Sequence, residues 1–264
     1  MKVVVLTASR FGTASACLKS LQESEVFCLI GVVVANSMPP NPGHIFRRKL
    51  MKVLRIGPLG ALNGIRMRGW YEGPPGPDLR NLCEQLGVPY FETDSTNSNE
   101  TAELFRRLAP DLGLSLGNGY ISPRIFRLPR FGMINVHGEM LPKYQNAQSV
   151  IWPIYCGETK TGLTIHQVDT KIDTGDILYQ EEFPIIFCSR LKDTVRRSIE
   201  ITRRQTPAAV RYVCENYERL TKTAKPQVNG RRYTTPSIWQ FWRMVRNNKR
   251  LNEGGNSSGS WAKK

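Results

Sequence analysis

Short, unbroken apolar runs rich in β-branched residues constrain the fold of this chain more than any other feature of its sequence. Residues 3–6 and 29–35 are two such runs. A strand with one solvated face alternates apolar and polar residues, whereas a continuous run indicates a strand buried on both faces, as in a parallel sheet covered by helices. The helix-like segment 13–21 between the two runs completes a β-α-β unit.

The same alternation of strands and helices continues along the chain. Further helices are predicted at 78–86 and 99–108, and further strands at 88–91, 112–116 and 133–137. This order predicts an α/β fold with a mostly parallel, doubly wound sheet flanked by helices. The turn after the first strand, residues 7–13, holds one glycine where a dinucleotide fingerprint needs two or three. The fold is therefore Rossmann-like, without the usual loops for nucleotide phosphates.

The 264 residues suffice for one large α/β domain with a short appendage. We expect a catalytic domain at 1–200, interrupted by a basic helical insertion at 44–77 that ends in a Gly-Pro-Pro-Gly-Pro turn or linker. A basic, helical C-terminal appendage is expected at 201–252. The Gly/Ser-rich residues 253–264 predict a disordered tail.

The net charge of +15 excludes a partner that is cationic overall, but it does not choose among nucleic acid, an anionic membrane and anionic small molecules. The sequence contains no stretch of about 18 apolar residues, so no transmembrane helix is expected. The first seven residues are too short an apolar run for a signal peptide. The six cysteines are scattered, which favours free thiols in a reducing compartment, so a cytoplasmic location is expected.

Candidate catalytic residues lie at the end of the fifth predicted strand. Asn135 and His137 are two residues apart, so they share one face of that strand. An amide there can stabilise an oxyanion and an imidazole can move protons near neutral pH. Asp173 lies in a loop with Gly175, and a carboxylate beside His137 would favour imidazolium. Alone, an Asn-x-His pair is more often structural, as a helix cap or a polar pair in the core, and His166 is interpreted as an ordinary strand residue.

Three motifs in order make the pattern specific: N-x-H-x-x-x-L-P-x-Y at 135–144, G-x-x-x-T-G at 157–162 and I-D-T-G-D-I-L at 172–178. Together they resemble the 10-formyltetrahydrofolate-dependent formyltransferase family. That family includes methionyl-tRNA, glycinamide ribonucleotide and sugar-nucleotide N-formyltransferases. The resemblance is good over about residues 80–190, fair at 1–40, and poor at 41–75 and beyond 200.

The resemblance implies an enzyme with a Rossmann-like formyltransferase fold and 10-formyltetrahydrofolate as formyl donor. It implies that Asn135 and His137 polarise the formyl oxygen and that Asp173 tunes His137 and helps to pass protons through water. It also implies donor-binding backbone groups in two loops, at Leu116, Gly117, Asn118, Gly119 and Tyr120, and at Thr174, Gly175 and Asp176 beside Asp173. No metal is expected, and the three histidines show no metal-ligand spacing.

The amine acceptor is not fixed by the resemblance. Asn146 stands where the family usually has a glycine, near the expected acceptor site, and asparagine can adopt a positive φ. About 60 residues follow position 200, fewer than the β-barrel of about 100 residues that a methionyl-tRNA formyltransferase usually carries. We therefore expect an anionic acceptor, an amino sugar carried on a nucleotide. Charged initiator tRNA is the alternative, and a non-catalytic module that docks on membrane or nucleic acid is a second one.

Within the insertion, residues 45–55 mix apolar and basic residues at near-helical spacing. One interpretation is an amphipathic helix whose apolar side packs on the sheet. The other is a surface helix, spanning part of 44–71, that meets an anionic membrane at the inner membrane face. The sequence leaves both open.

Overall fold

A computed structural model describes residues 1–36, 42–71 and 76–258. Most of the Gly-Pro-Pro-Gly-Pro segment predicted as a turn or linker lies outside the described residues. The described chain contains seven strands in one sheet. Their bounds are β1 Lys2–Thr7, β2 Cys28–Ala35, β3 Tyr90–Thr93, β4 Leu112–Ser115, β5 Met133–His137, β6 Lys160–Gln167 and β7 Ile177–Pro184.

The strands follow the order β3-β2-β1-β4-β5-β6-β7. β1 to β5 pair in parallel, while β6 and β7 extend the sheet in antiparallel fashion. The apolar runs of β1 and β2 are buried along nearly their whole length, as predicted. The strand order reverses between β2 and β4, on either side of β1. In an open α/β sheet, ligands bind at such a point, outside the carboxyl ends of the strands.

Nine helices occur in the described ranges. They are α1 Thr13–Gln22, α2 Pro42–Arg68, α3 Leu79–Leu86, α4 Asn99–Leu108, α5 Pro123–Phe126, α6 Ile151–Cys156, α7 Leu191–Glu215, α8 Tyr217–Lys222 and α9 Ile238–Ser258. α3 begins at the cap Asp78, which accepts a hydrogen bond from the backbone N–H of Arg80, and α4 begins at the cap Ser98. The predicted mostly parallel sheet flanked by helices is confirmed.

Two predicted boundaries differ from the structure. α7 runs through position 200, where the catalytic domain was expected to end, because its buried side continues from Leu191 to Cys214. Residues 253–258, expected in the disordered tail, form the end of α9. The Gly/Ser composition of that stretch suggested disorder, but the preceding helix extends into it.

α2 is a long helix with a break in the middle. Gly57 has φ 75° and ψ 162°, a conformation that glycine tolerates, and Pro58 follows it. α2 packs on α9, and the contacts lie in the second half of α2, at Gly60 and Arg66. A Cβ at Gly60 would lie 3.3 Å from the Cα of Ser237, so this glycine permits the close approach.

Candidate active site

A cleft of about 380 Å³ opens at the carboxyl ends of β4 and β5. Asn135 and His137, on β5, lie in its wall, as does Asp173 from the loop between β6 and β7. The loop that follows β4 supplies Gly117, Asn118, Gly119 and Tyr120. The structure therefore brings the three predicted catalytic side chains into one cavity, at the place where the sheet topology directs ligands.

A chain of hydrogen bonds fixes the orientation of the Asn135 amide. Asn118 Nδ2 donates to Ser115 Oγ at 3.1 Å, and Ser115 Oγ donates to Asn135 Oδ1 at 2.9 Å. Asn135 Nδ2 then donates to His166 Nε2 at 3.3 Å. A carboxamide nitrogen carries two hydrogens, so the second one can donate to a ligand oxygen in the cleft.

His166 reaches Asn135 because β5 and β6 are antiparallel neighbours. Asn135 and His166 are register partners, as are His137 and Thr164. His166 Nδ1 donates to the backbone oxygen of Gln167 at 2.7 Å, which leaves Nε2 to accept from Asn135. His166 is thus a strand residue, as predicted, and also part of the site.

His137 and Asp173 lie within reach of each other, as predicted. His137 Nδ1 is 3.4 Å from Asp173 Oδ2. His137 Nε2 is 2.8 Å from the backbone oxygen of Tyr144, and because a carbonyl oxygen can only accept, Nε2 carries a hydrogen. Nδ1 is consequently the ring nitrogen that gains or loses a proton. His166 Nε2 lies 3.6 Å from the other carboxylate oxygen, Oδ1.

The environment shifts both titrating groups. Burial lowers the pKa of His137, and the charge of Asp173 partly opposes that shift because it stabilises imidazolium. Burial acts to raise the pKa of Asp173, but contacts with His166, His137 and the Asn146 amide outweigh it and hold that pKa below its ordinary value. Near neutral pH, Asp173 is therefore a carboxylate.

Asp173 and Asn146 form a strained contact between two loops. Both residues have positive φ, 56° for Asp173 and 52° for Asn146. The backbone N–H of Asn146 donates to Asp173 Oδ2 at 2.9 Å. The expectation that asparagine could replace the usual glycine at 146 by adopting positive φ is confirmed. Such backbone strain is typical of sites where geometry matters more than stability.

A second cavity of about 860 Å³ adjoins the cleft. Its wall includes Arg47, Lys52 and Arg55 from α2, and it shares Asn146 and Gln148 with the cleft. Burial, together with the charges of Arg68 and Arg55, lowers the pKa of Lys52. Burial is the larger cause of this shift, and the neighbouring cations add to it; cations gathered in this way attract an anion.

Four predicted donor-binding residues do not line the cleft. Leu116 is buried in the hydrophobic core, since its side chain continues the inner face of β4. Gly175 and Asp176 belong to the turn that leads into β7, where a Cβ at Gly175 would lie 2.0 Å from the backbone oxygen of Gln167. Thr174 Oγ1 donates to the Asp169 carboxylate at 2.6 Å instead.

The sequence analysis did not identify Ser115 and Gln148 as residues of the site, and it did not identify the contact of His166 with Asn135. Ser115 precedes the loop that was predicted, and only the contact with Asn135 distinguishes it from a core serine. Gln148 Oε1 is buried and has no hydrogen-bond partner among the described residues. No motif indicated Gln148, because its position depends on the path of the loop after Tyr144.

Comparison with known proteins identifies the family of this chain. The profile of the formyl transferase family matches residues 1–210, most of the chain. The chain belongs to the formyl transferase family. Its members are enzymes that use a formyltetrahydrofolate as formyl donor. The match includes β1 to β7 and ends inside α7, so α9 lies beyond it.

Relatives within the family act on different acceptors. Methionyl-tRNA formyltransferases from Geotalea uraniireducens and Geobacter metallireducens are 37% and 34% identical to this formyl transferase over 110 residues. Those residues make up 41% of this chain and 35% of each relative, so the match spans about a third of the relatives' length. The sequence identity is therefore confined to one part of each protein.

Solved structures share the fold at low sequence identity. Phosphoribosylglycinamide formyltransferase from Bacillus halodurans has a TM-score of 0.55 at 16% identity, covering 83% of this chain and 98% of that one. WlaRD, a sugar 3N-formyl transferase solved with dTDP and 5-N-formyl-THF, also has a TM-score of 0.55, at 15% identity, covering 96% of this chain and 79% of that one. Within residues 1–36, 42–71 and 76–258, no group of three His, Cys, Asp or Glu side chains could hold a metal ion.

Proposed function

We propose that this formyl transferase moves the formyl group of 10-formyltetrahydrofolate to the primary amine of an anionic acceptor, an amino sugar linked to a nucleotide. One observation carries the proposal: the cleft with Asn135, His137 and Asp173 opens into a cation-lined cavity, and the two share Asn146 and Gln148. An acceptor with its amine in the cleft would place its phosphates in the neighbouring cavity.

The donor supplies a formyl carbon, and Asn135, His137 and Asp173 supply the environment for the transfer. When the amine nitrogen bonds to that carbon, negative charge develops on the formyl oxygen, and the free N–H of Asn135 can donate to it. Such a donor is worth about 2.7–4 kcal/mol of transition-state stabilisation. His137 Nδ1 takes the proton that the amine loses. The proton then goes to the folate nitrogen as its bond to the formyl carbon breaks, and the Asp173 carboxylate stabilises the imidazolium between these steps.

Donor binding would depend on the loop after β4. Gly117, Asn118, Gly119 and Tyr120 present backbone groups to the cleft, and the apolar side chains of Ile121 and Val168 lie beside them. A cavity of about 380 Å³ whose wall combines apolar and polar residues suits one ring system that carries polar groups. The rest of a folate would extend toward solvent.

Gln148 supports the position of the amine. Its Oε1 is buried where the two cavities meet and lacks a donor among the described residues. A buried acceptor atom without a partner is costly, and rotation of the Gln148 side chain would let this oxygen accept from an incoming amine N–H. This contact would orient the nitrogen toward the cleft while Arg47, Lys52 and Arg55 bind the anionic part.

Methionyl-tRNA is the second candidate acceptor. The curated relatives that share 34–37% identity over 110 residues act on it, and the net charge of +15 suits RNA. The smaller acceptor is favoured because Arg47, Lys52 and Arg55 cluster in one cavity that adjoins the cleft.

The deciding experiment incubates the protein with 10-formyltetrahydrofolate and a panel of amino-sugar nucleotides and charged tRNA, and detects formylated product by mass. We expect product from an amino-sugar nucleotide. Formylation of methionyl-tRNA alone would replace the acceptor assignment. Failure to formylate any amine, with an intact fold, would leave a non-catalytic docking role.

The basic cavity is tested with Lys52→Ala. We expect the KM for the acceptor to rise about tenfold or more, since a hydrogen bond to a charged group contributes about 1.5–3 kcal/mol, while the KM for the donor stays unchanged. Lys19→Ala, which removes an exposed lysine from α1, is the matched control. An unchanged acceptor KM in Lys52→Ala would exclude the cavity as the acceptor site.

A further inference from the structure

Two helices carry most of the exposed apolar side chains of this protein. Among the described residues, nine of the fifteen exposed large hydrophobic residues lie on α2 and α9. Seven are on α2, with Leu54 71% exposed, and two are tryptophans on α9, with Trp239 80% exposed. We call this surface the α2–α9 face; its apolar members are Phe46, Leu50, Met51, Leu54, Leu59, Leu62, Ile65, Trp239 and Trp242.

The exposed apolar residues of α2 recur at regular helical intervals and therefore form stripes. On the first half of α2 they recur at intervals of four, at 46, 50 and 54. On the second half they recur at intervals of three, at 59, 62 and 65. These intervals place each set on one side of its helix segment. The opposite side of α2 is buried through Ile56 and Met67. The helix thus has two apolar sides, one of which faces solvent.

α2 and α9 present their exposed residues next to each other. Gly60 lies against Ser237 and Ile238, the residues before Trp239. Farther along, the Arg66 guanidinium stacks over Phe241, with its carbon 5.2 Å from the ring centroid, and Phe241 precedes Trp242. These contacts hold the two helices side by side, and the exposed stripes lie on the solvent-facing parts of this pair.

The charge of this surface is predominantly positive. α2 contains no acidic residue, and its exposed cations include Arg47, Arg55, Arg66 and Arg68. α9 adds four exposed cations, Arg243, Arg246, Lys249 and Arg250, against one acid, Glu253. Apolar and aromatic side chains rimmed by arginine and lysine are typical of helices that lie in the plane of an anionic bilayer.

We propose that the α2–α9 face binds peripherally to anionic lipid, with the apolar stripes and the two tryptophans in the headgroup boundary and the cations on the phosphates. Of the helices in the described ranges, none is long and apolar enough to cross a bilayer, so the contact is one of surface docking. A second copy of the chain fits less well, because two such cationic faces would repel each other. RNA would leave the aliphatic stripes in water.

Docking would also orient the proposed acceptor cavity. Met51 and Leu54 belong to the α2–α9 face and to the wall of the cavity that holds Arg47, Lys52 and Arg55. A bound protein therefore carries the mouth of this cavity at the lipid surface. The docking proposal itself does not depend on the formyl-transfer assignment.

The experiment is flotation of the full chain with vesicles of phosphatidylglycerol and, separately, of phosphatidylcholine. We expect binding to phosphatidylglycerol vesicles at low salt, with little binding to phosphatidylcholine. Each cation near the headgroups contributes roughly fivefold to partitioning, and salt screens that contribution. Binding should therefore weaken steeply between about 0.05 and 0.5 M salt, where the Debye length shortens severalfold.

The apolar part is tested with the triple variant Leu59→Ser, Leu62→Ser, Ile65→Ser. We expect vesicle partitioning to fall at least about tenfold, because three side chains no longer leave water. The matched control is the pair Val26→Ser, Val228→Ser, which removes exposed hydrophobic residues away from this face. Circular dichroism and thermal unfolding establish that both variants are folded.

Three results would overturn the proposal. The first is no binding of the wild-type chain to phosphatidylglycerol vesicles at low salt. The second is vesicle binding that the triple variant retains in full. The same conclusion follows if the wild type and the triple variant bind tRNA with equal affinity and more tightly than vesicles, which would indicate a purely electrostatic nucleic-acid surface. The third is concentration-dependent dimerisation, seen by analytical ultracentrifugation and abolished by the triple variant, which would assign the face to a second copy.

Discussion

Glu139 provides a stability prediction that can be worked out in detail. Its side chain is fully buried beside the active site. Oε1 accepts hydrogen bonds from the backbone N–H of Val150 at 2.5 Å and from Thr161 Oγ1 at 2.8 Å. These contacts favour the carboxylate, but desolvation by burial is the larger effect and raises the pKa from 4.5 to about 8. A carboxyl buried without a cation holds its proton near neutral pH.

The size of the pH effect on stability follows from the coupling between proton binding and folding. The unfolded chain loses this proton near pH 4.5, whereas the folded protein keeps it until about pH 8. In that window the folded state binds more protons than the unfolded state, so the free energy of unfolding falls as pH rises, by up to about 1.4 kcal/mol per pH unit. From pH 5.5 to 7.5 the loss is about 2–3 kcal/mol, and well above pH 8 the total reaches about 4–5 kcal/mol.

The perturbation is Glu139→Gln, which keeps an oxygen for Val150 and Thr161 and cannot ionise. Urea unfolding of both proteins at pH 5.5, 6.5, 7.5 and 8.5 measures the difference in free energy of unfolding. We expect the free energy of unfolding of the variant, relative to that of the wild type, to rise by about 2–3 kcal/mol between pH 5.5 and 7.5. His137, whose lowered pKa acts in the opposite direction, is present in both proteins and cancels in the difference. A difference that does not change with pH would refute the reasoning.

Two further predictions concern catalysis. His137→Ala should lower turnover at least about a hundredfold while donor binding persists, because a positioned acid–base group contributes about 10²–10⁴-fold; wild-type turnover in a steady-state assay would remove His137 from the mechanism. Asp173→Asn removes the charge that favours imidazolium, so the pKa of His137 falls further and the acid limb of the rate profile should move to lower pH, at reduced activity. An unmoved acid limb would show that Asp173 does not control the protonation of His137.

The sheet could be predicted because its strands are locally marked. The runs at 3–6 and 29–35 are continuous and apolar, and the strand 133–137 is marked by Met133, Ile134 and Val136; each is bounded by helix or turn signals. β6 and β7 carry more polar residues, and nothing local indicated that they pair in antiparallel fashion beside β5. Pairing of strands depends on contacts distant in sequence, which a local pattern does not contain.

The same limit explains what was missed in the site. Asn135 and His137 were identified because their spacing on a strand and the family motif agree. His166 entered the site only through its register with Asn135. Conversely, Gly175 and Asp176 stand in the motif beside Asp173 but form the turn rather than the cleft wall. A motif marks a segment of chain, whereas the side chains that face a ligand are decided by how that segment turns.

The α2–α9 face shows a different limit. The basic and apolar spacing of 45–55 predicted a helix, and α2 confirms it. Whether its apolar residues were buried could not be read from the periodicity, because both a packed helix and a surface helix need the same pattern. α9 supplied the missing information: it occupies the inner side of α2 through Gly60 and leaves the outer side in solvent.

The pairing of β5 with β6 has a consequence for how such an enzyme can diverge. A slip of one residue between these strands would turn His166 away from Asn135, because neighbouring side chains on a strand point to opposite faces. Insertions are therefore excluded from the two strands themselves. The connecting residues 138–159 lie outside the paired region. Tyr144 and Asn146 within them hold His137 and Asp173, so change is confined to positions without such contacts in the site, such as Gln148. Acceptor preference could then evolve, or be engineered, in one loop while the catalytic side chains stay in register.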